Sequence, residues 1–319
     1  MANVCSILAQ MISKICTIKS EIIMIKNIHT LVRDIYDTLE SEEGWLTSAN
    51  AERLTGELGR QLVQSSGQKD AGAVLRLSQM GEKCPCQLWH SVHSPSMGEK
   101  LKGHTLIKFT YGHVIEALII AMAKAAGHEV TGEQDVLYLD GVKGHRDCVI
   151  DGCVVDVKST NSLSFQKVKA GAVAEDPFLS SYLAQLDGYV VASANDPLVR
   201  VKDRGYLLAV DKVLGHMCLY EHKVRPVYIR ERLAEAKRIV ALDVPPGCTC
   251  GTVADGESGN IKLDVKASYN PFKYCCFPHL RTFLYEGGPR FLTKVVRRPK
   301  RRDGSPIPEV DKHGKIVYG

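Results

Sequence analysis

The sequence predicts an α/β fold in which helices flank a mixed central β-sheet. Apolar residues at helical spacing indicate helices over residues 111–126 and 178–191, and strand-like runs occupy residues 128–139, 145–158 and 206–210. The order helix, strands, helix, strand is typical of an α/β domain.

The composition indicates a globular protein. Of its 319 residues, 45% are hydrophobic and 24% are charged, which is enough to bury one large core or two moderate ones. Lys14, Lys19 and Lys26 interrupt the apolar N-terminus, so no stretch approaches the roughly 18 to 20 uninterrupted apolar residues of a membrane helix, and a signal-peptide core is lacking. We therefore expect a cytoplasmic protein with no membrane partner.

The chain contains eleven cysteines, an odd number scattered over its length. Such a set fits reduced thiols or metal ligands better than the disulfide framework of a secreted protein.

Four segments are predicted along the chain. Residues 1–23 form an extension unlike the rest of the chain, and the helical periodicity begins after Met24, which is a candidate native start. We expect a chain beginning at Met24 to be as soluble and active as the full chain. Residues 24–100 form an N-terminal helical region with the first cysteines, residues 101–245 the core, and residues 246–319 a cysteine-containing segment with a basic tail.

The helix predicted over residues 111–126 carries a candidate catalytic residue. Its stripe of valine, isoleucine, leucine and methionine ends at Gly127, where a helix C-terminal glycine belongs. Glu116 lies on this helix among alanines and apolar residues, and a buried glutamate needs a partner or a metal ion. The alternative is that Glu116 occupies the solvent-exposed edge of the helix.

A β-hairpin is predicted within residues 145–158, because Asp151-Gly152 at its centre is a strong signal for a two-residue turn. If Ile150 pairs with Cys153, then Asp147 lies opposite Asp156. The same count places His145 opposite Lys158. The face that carries Cys148, Ile150, Val155 and Val157 is expected to enter the core.

The two facing aspartates indicate a metal site. Like charges opposite each other destabilise a hairpin unless a cation lies between them, and Mg²⁺ or Mn²⁺ takes carboxylate ligands together with water and phosphate. Lys158 would then stabilise negative charge that develops on a phosphodiester. An Asp-x-Lys triplet alone is common, and an exposed strand edge is its ordinary explanation. Asp264-Val265-Lys266 repeats the triplet without an opposing aspartate.

Two further features could contact a nucleic acid. Gln185 and Tyr189 are four residues apart on a predicted helix, where an amide and a phenol could hydrogen-bond or stack on a nucleotide, although such a pair is more often surface decoration. The basic segment from Arg290 to Arg302, which includes Arg297 and Arg298, could follow a phosphate backbone or be a solvated tail.

Four motifs together resemble the PD-(D/E)xK nuclease superfamily, and in order and spacing its RecB-like exonuclease branch. The motifs are GHVIE (residues 112–116), GHRD (144–147), DVK (156–158) and QLDGY (185–189). The resemblance implies a restriction-endonuclease-like core in which Glu116, Asp147 and Asp156 bind the metal ion and Lys158 is catalytic. It also implies that Gln185 and Tyr189 contact substrate. Many members have histidine in place of Glu116.

A similarity to exonucleases of tailed phages rests partly on residues 280–295. Related members often hold a [4Fe-4S] cluster on one cysteine before the core and three after it. Cys84 resembles the first ligand and Cys276 the last, but Ala267 and Asn270 stand where the other two are expected. Cys248, Cys250 and Cys275 could substitute. Zinc on Cys84, Cys86 and two C-terminal cysteines, or buried free thiols, are the alternatives.

The sequence thus predicts a metal-dependent deoxyribonuclease, an exonuclease rather than an endonuclease, acting on single-stranded DNA or DNA ends. A phage role in recombination, replication or DNA degradation, with replication or recombination proteins as partners, is implied by the resemblance alone. Two alternatives are a nucleic-acid-binding protein of the same fold with weak catalysis, and a structural or redox protein built on a cysteine-bound metal. Retention of all four motif residues argues against the first, and Ala267 and Asn270 argue against the second.

Overall fold

A computed structural model describes residues 26–65, 74–81 and 83–318. The predicted extension of residues 1–23 and the candidate start Met24 lie outside the described residues. The N-terminal region is helical, and its three α-helices are α1 (Leu31–Leu39), α2 (Ser48–Ser65) and α3 (Pro85–His93). Pro85 at the first position of α3 fits because the proline ring presets the helical φ and the missing N–H would have no partner there.

The long helix α4 (Gly103–Ala125) confirms the predicted helix over residues 111–126 but begins two turns earlier. It ends before Gly127, whose φ of 81° requires a residue without a side chain. Ile119, Ile120 and Ala123 lie on the buried face of this helix. By length and composition α4 could cross a membrane, with a mean hydropathy of 1.5 over its most apolar window. Its buried residues pack on a β-sheet of this chain.

The central sheet is mixed, as predicted, and has five strands in the order β1-β4-β5-β6-β7. Only β5 and β6 run parallel, and every other neighbouring pair is antiparallel. The five strands are β1 (Val130–Thr131), β4 (Cys148–Ile150), β5 (Cys153–Thr160), β6 (Arg204–Asp211) and β7 (Met217–Lys223). A separate two-stranded sheet joins β2 (Val136–Leu139) to β3 (Val142–His145).

Helices cover both faces of this sheet. Helices α1 and α4 pack on one face, against residues such as Ile150, Val155 and Leu208. Three helices pack on the other face, against residues such as Val154 and Leu207, and they are α5 (Ser162–Lys169), α6 (Ser180–Ala192) and α7 (Pro226–Val240). The strands are apolar on both sides because both faces are buried.

The hairpin prediction is confirmed in its register and wrong in its extent. Ile150 pairs with Cys153, and Asp151 and Gly152 both have the positive φ that this tight turn requires, 52° and 80°. Strand β4 is shorter than predicted, because the chain leaves the sheet at Arg146. His145 therefore pairs with Val136 in the small sheet and does not face Lys158.

The run over residues 128–139 forms two short strands rather than one. A turn separates β1 from β2, and Gln134 in that turn adopts a positive φ of 56°. The predicted strand over residues 206–210 is confirmed within β6, and the predicted helix over residues 178–191 is confirmed as α6.

The C-terminal segment forms a second sheet that the sequence did not predict. Its six strands follow the order β13-β12-β10-β11-β9-β8. They are β8 (Thr252–Ala254), β9 (Ile261–Leu263), β10 (Arg281–Tyr285), β11 (Gly288–Lys294), β12 (Glu309–Val310) and β13 (Ile316–Tyr318). Two short helices, α8 (Val265–Ser268) and α9 (Lys273–Cys276), connect β9 to β10. Phe283, Leu292 and Ile307 form its small core.

Candidate active site

The site lies where β4 and β5 separate, and its centre is Asp156 on the middle strand of the sheet. Asp156 is completely buried. The Nζ atom of Lys158, two residues further along β5, lies 2.7 Å from Asp156 Oδ2, and the lysine side chain remains 21% exposed. Alternation along the strand places both residues on the face that α6 covers. Lys158 therefore remains partly accessible at the edge of the site, whereas Asp156 is enclosed.

Asp147 follows the last residue of the small sheet and precedes β4. The backbone N–H of Val157 donates to Asp147 Oδ2 at 2.8 Å, which fixes the carboxylate beside β5. The backbone N–H of Gln134 donates to the Asp147 carbonyl at 3.0 Å. The structure thus brings Asp147 next to Asp156, as the hairpin register predicted.

Glu116 reaches the same place from α4. Gly112, one turn earlier, lies directly over β5, since a Cβ atom there would be 3.7 Å from Ser159 Oγ. The side-chain amide of Gln134 donates to Glu116 Oε1. Glu116 is half-buried, between the buried face of α4 and solvent.

The charges of these carboxyl groups influence one another, although Glu116, Asp147 and Asp156 do not bring one oxygen atom each within 4.8 Å of the other two. Burial, followed by the charge of Asp147, raises the pKa of Glu116 to about 9. Burial and the charge of Asp156 raise the pKa of Asp147 to about 7. Burial opposes the charge of Lys158, but Asp156 and Asp147 hold its pKa above the ordinary value. Three carboxyl groups therefore compete for one cation, and a further positive charge would relieve them.

Gln185 and Tyr189 lie against these carboxylates on α6. The Gln185 amide donates to the Tyr189 hydroxyl at 2.7 Å and to Asp156 Oδ1 at 3.4 Å. Tyr189 is only 3% exposed and belongs to the core. Its ring offers no free face for a nucleotide, so in this structure the pair orients Asp156. Contact between Gln185 and substrate stays a prediction.

Tyr182 is a site residue that the sequence reasoning missed. The Lys158 ammonium lies 5.2 Å from the centroid of its ring. Tyr182 precedes Gln185 by three residues and Tyr189 by seven, so the three share one face of α6. That spacing was the signal that could have found it.

Two completely buried charged residues, Arg146 and Asp187, stabilise the structure around the site. Arg146, next to Asp147, is completely buried and pairs with Asp135 at 2.7 Å and Asp196 at 2.6 Å. Asp187 of the QLDGY motif is completely buried too, and accepts hydrogen bonds from His222 at 2.8 Å and from the Arg225 guanidinium at 2.7 and 3.0 Å. Arg146 and Asp187 are thus structural residues rather than reacting groups.

The second Asp-x-Lys triplet has a different role. Asp264 caps α8, because its Oδ1 accepts from the backbone N–H of Ala267 at 2.6 Å. Lys266 is exposed, and the triplet lies outside the central sheet. Asp264 and Lys266 are therefore suitable comparison positions for Asp156 and Lys158.

The structure brings four cysteines together at a second place. The Sγ atoms of Cys84, Cys248, Cys250 and Cys276 all lie within 4.8 Å of one another. Hydrogen bonds with Cys250 and Cys276 hold the pKa of the Cys84 thiol well below its ordinary range. Cys86 and Cys275, which the sequence left as alternative ligands, are not in this group. The C-terminal segment thus folds back to Cys84.

The basic segment is ordered within the C-terminal sheet rather than a tail. Arg290 pairs with Asp255 at 3.1 Å and Arg298 with Glu309 at 3.6 Å. The Arg297 side chain is exposed, while its backbone is held by the side chain of Asn260. Part of the positive charge is therefore neutralised within the protein, and a role for Arg297 and Arg298 in DNA binding stays a prediction.

Comparison with known proteins gives distant structural likenesses. The alkaline exonuclease LHK-Exo from Laribacter hongkongensis is 14% identical, with 53% of this chain and 87% of that chain covered and a TM-score of 0.37. Its complex with dAMP gives the same coverage and TM-score at 13% identity. The protein SSO0001 is 14% identical, with 72% of this chain and 96% of that chain covered and a TM-score of 0.37. No protein-family model and no curated protein matches the chain.

Proposed function

We propose that this protein is a metal-dependent deoxyribonuclease. The observation that carries the proposal is that Asp147 and Asp156 meet beside Lys158, with Glu116 approaching from α4. The donor set supports a hard divalent cation, because the groups are carboxylate oxygens whose mutual repulsion a cation would remove. Glu116, Asp147 and Asp156 would hold Mg²⁺ or Mn²⁺.

The bound ion would acidify a water molecule and neutralise charge on the phosphate. Residues of the protein would stabilise the phosphate charge and orient the metal ligands. Lys158 is a cation whose side chain is partly exposed, so it would donate to a phosphate oxygen and stabilise the negative charge that develops there. Gln185 and the Val157 N–H would hold the two aspartates in place.

We further propose that the substrate is single-stranded DNA or a DNA end, cut exonucleolytically, in the cytoplasm and in the course of recombination, replication or DNA degradation. Support for this narrower statement comes from the four motifs and their resemblance to RecB-like and phage exonucleases. Arg297 is one of several exposed cations of the basic segment, and we propose that it contacts the DNA backbone.

The test uses the full chain and four labelled substrates: linear single-stranded DNA, linear duplex DNA, circular single-stranded DNA and RNA. Each is incubated with Mg²⁺, Mn²⁺ or a chelator. We expect metal-dependent release of nucleotides from linear DNA, and no cleavage of the circle. Cleavage of the circle would overturn the exonuclease assignment, and cleavage of RNA alone would overturn the choice of DNA.

Variants decide whether this site is responsible. Asp147→Asn and Asp156→Asn should each abolish cleavage, because each removes a metal ligand while keeping the shape of the side chain. The matched control Asp264→Asn should cleave at the parental rate, since Asn also caps helices. Normal cleavage by the two active-site variants would remove the basis for the nuclease proposal.

A further inference from the structure

The four-cysteine group ties the N-terminal helical region to the C-terminal segment. Cys84 precedes α3, Cys248 and Cys250 precede β8, and Cys276 ends α9. The distance between Cys84 Sγ and Cys248 Sγ is 3.6 Å, and all nine described cysteines are free thiols. The described residues contain no other group of three or more histidine, cysteine or acidic residues whose ligand atoms lie this close.

The spacing of the sulfur atoms distinguishes two kinds of metal centre. In a tetrahedral zinc site with Zn–S bonds of about 2.3 Å, two ligand sulfurs lie about 3.8 Å apart. In a [4Fe-4S] cluster each thiolate binds a different iron atom, so two Fe–S bonds and an edge of the cluster separate every pair. Mutual distances within 4.8 Å leave room for a single ion and not for four irons with four sulfides. The cluster implied by the family resemblance therefore does not fit, although the number of cysteines does.

Each of the four sulfur atoms accepts a hydrogen bond from a neighbouring N–H group. The backbone N–H of Thr249 donates to Cys84 Sγ, and that of Cys250 to Cys248 Sγ, both at 3.4 Å. The Asn270 amide donates to Cys250 Sγ at 3.3 Å and to Cys276 Sγ at 3.4 Å. Asn270 is only 3% exposed. It occupies a position where the resemblance expects a ligand, and here it is a hydrogen-bond donor to two ligands instead.

We propose that Cys84, Cys248, Cys250 and Cys276 bind one zinc ion as a structural site. Four thiolates fill the coordination sphere of the zinc ion and leave no position for water. Such a site is structural rather than catalytic. Asn270 is a positioning residue that neutralises part of the thiolate charge and orients Cys250 and Cys276. The proposal is independent of the proposed nuclease function, because none of these residues touches the carboxylate site.

The decisive experiment measures metal content. The full chain is expressed with iron and zinc both supplied, purified without oxygen and without metal-affinity steps, and analysed for zinc, iron and sulfide. We expect one zinc per chain, little iron and no brown colour, and X-ray absorption at the zinc edge should show four sulfur neighbours at about 2.3 Å. Four irons per chain would overturn the proposal, as would the absence of bound metal or zinc bound through nitrogen or oxygen.

Adjacent cysteines provide the matched control. Cys276→Ser should lower the retained zinc well below one per chain, whereas Cys275→Ser should keep the full content, because its sulfur lies outside the group. Asn270→Asp should speed transfer of zinc to a chromogenic chelator by roughly tenfold, the usual lower effect of removing an outer hydrogen-bond donor. If Cys276→Ser fails to fold, the metal content of the parent and the Asn270→Asp rate still decide the matter. Equal zinc content in the two serine variants would contradict the ligand assignment.

Discussion

Lys158 is fixed at two points, the Asp156 carboxylate 2.7 Å from its ammonium and the Tyr182 ring with its centroid 5.2 Å away. It supplies no oxygen ligand, so its contribution to cleavage is separate from metal binding. Replacing it removes a positive charge from the position where a phosphate would gain negative charge.

We predict that Lys158→Ala slows cleavage by about 10²–10³-fold, the range found when one preorganised donor is lost. Binding of DNA and of Mg²⁺ should change only a few-fold, because the carboxylates remain. Single-turnover rates and equilibrium DNA binding, measured side by side, check both parts. Lys266→Ala is the control and should match the parent, and a Lys158→Ala variant that lost DNA binding and cleavage equally would contradict the assigned role.

The positions of the individual motif residues were predicted better than the tertiary contacts that these residues make. The two aspartates and the lysine follow from counting across one turn, since a hairpin with an Asp-Gly turn has only one register. The burial of Tyr189 could not be predicted from two residues four positions apart. The face of a helix that is buried depends on its tertiary contacts, which the local spacing does not reveal. The ion pairs of Arg146 and Asp187 could not be predicted either, because their partners are distant in the sequence.

At the scale of elements, α6 carries two kinds of polar residue on different faces. Gln185 and Tyr189 face Asp156, whereas Asp187 faces His222 on β7 and Arg225 just before α7. A charge buried with its partner costs much more to leave unpaired than to keep. The contacts of Asp187 on one face of α6 therefore fix the position of Gln185 and Tyr189 on the other face.

We predict that Asp187→Asn destabilises the protein by about 1–3 kcal/mol, because the partly exposed Arg225 loses its carboxylate partner and a buried acceptor of hydrogen bonds is lost. Asp203→Asn breaks a surface pair with Arg204 and should leave stability unchanged within error. Urea unfolding at neutral pH measures both. Similar midpoints for the two variants would mean that the Asp187 pair does not hold α6.

The short strands of the C-terminal sheet explain why this sheet was not predicted from the sequence. Four of the six have only two or three residues, and Thr252–Ala254 is exposed throughout. An alternating pattern cannot be recognised over so few residues, and Gly-rich turns between them obscure it further. The central strands were recognisable because burial on both faces makes them long apolar runs.

At the scale of the whole molecule, metal binding and folding should be linked. A ligand that binds only the folded state stabilises it, by about 2.7 kcal/mol when its concentration is 100 times its dissociation constant. We predict that Mg²⁺ or Mn²⁺ raises the unfolding temperature of the parent. Without metal, Asp147→Asn should unfold at the same or a higher temperature than the parent, because a repelling buried charge is gone.

Thermal scans with and without each ion make the comparison. The metal-induced shift should be large in the parent and in Asp264→Asn, and small in Asp147→Asn. Equal shifts in all three proteins would place the ion somewhere other than the carboxylate site. Zinc at the cysteines must be kept constant throughout, so the scans with a chelator use one that is too weak to remove it.

The parallel pairing of β5 with β6 has a consequence for how the protein is made. A tight turn cannot join parallel strands, so residues 161–203, which carry α5 and α6, must first be placed across the sheet. Contacts of this sequence separation form late in folding, because the entropy of closing the intervening loop must be overcome first. Asp156 lies on β5 and Gln185 within the crossing segment, so a chain still emerging from the ribosome holds them apart. Under the proposed function, the nascent chain acquires the Gln185 contact that orients Asp156 only after the crossing segment has packed on the sheet.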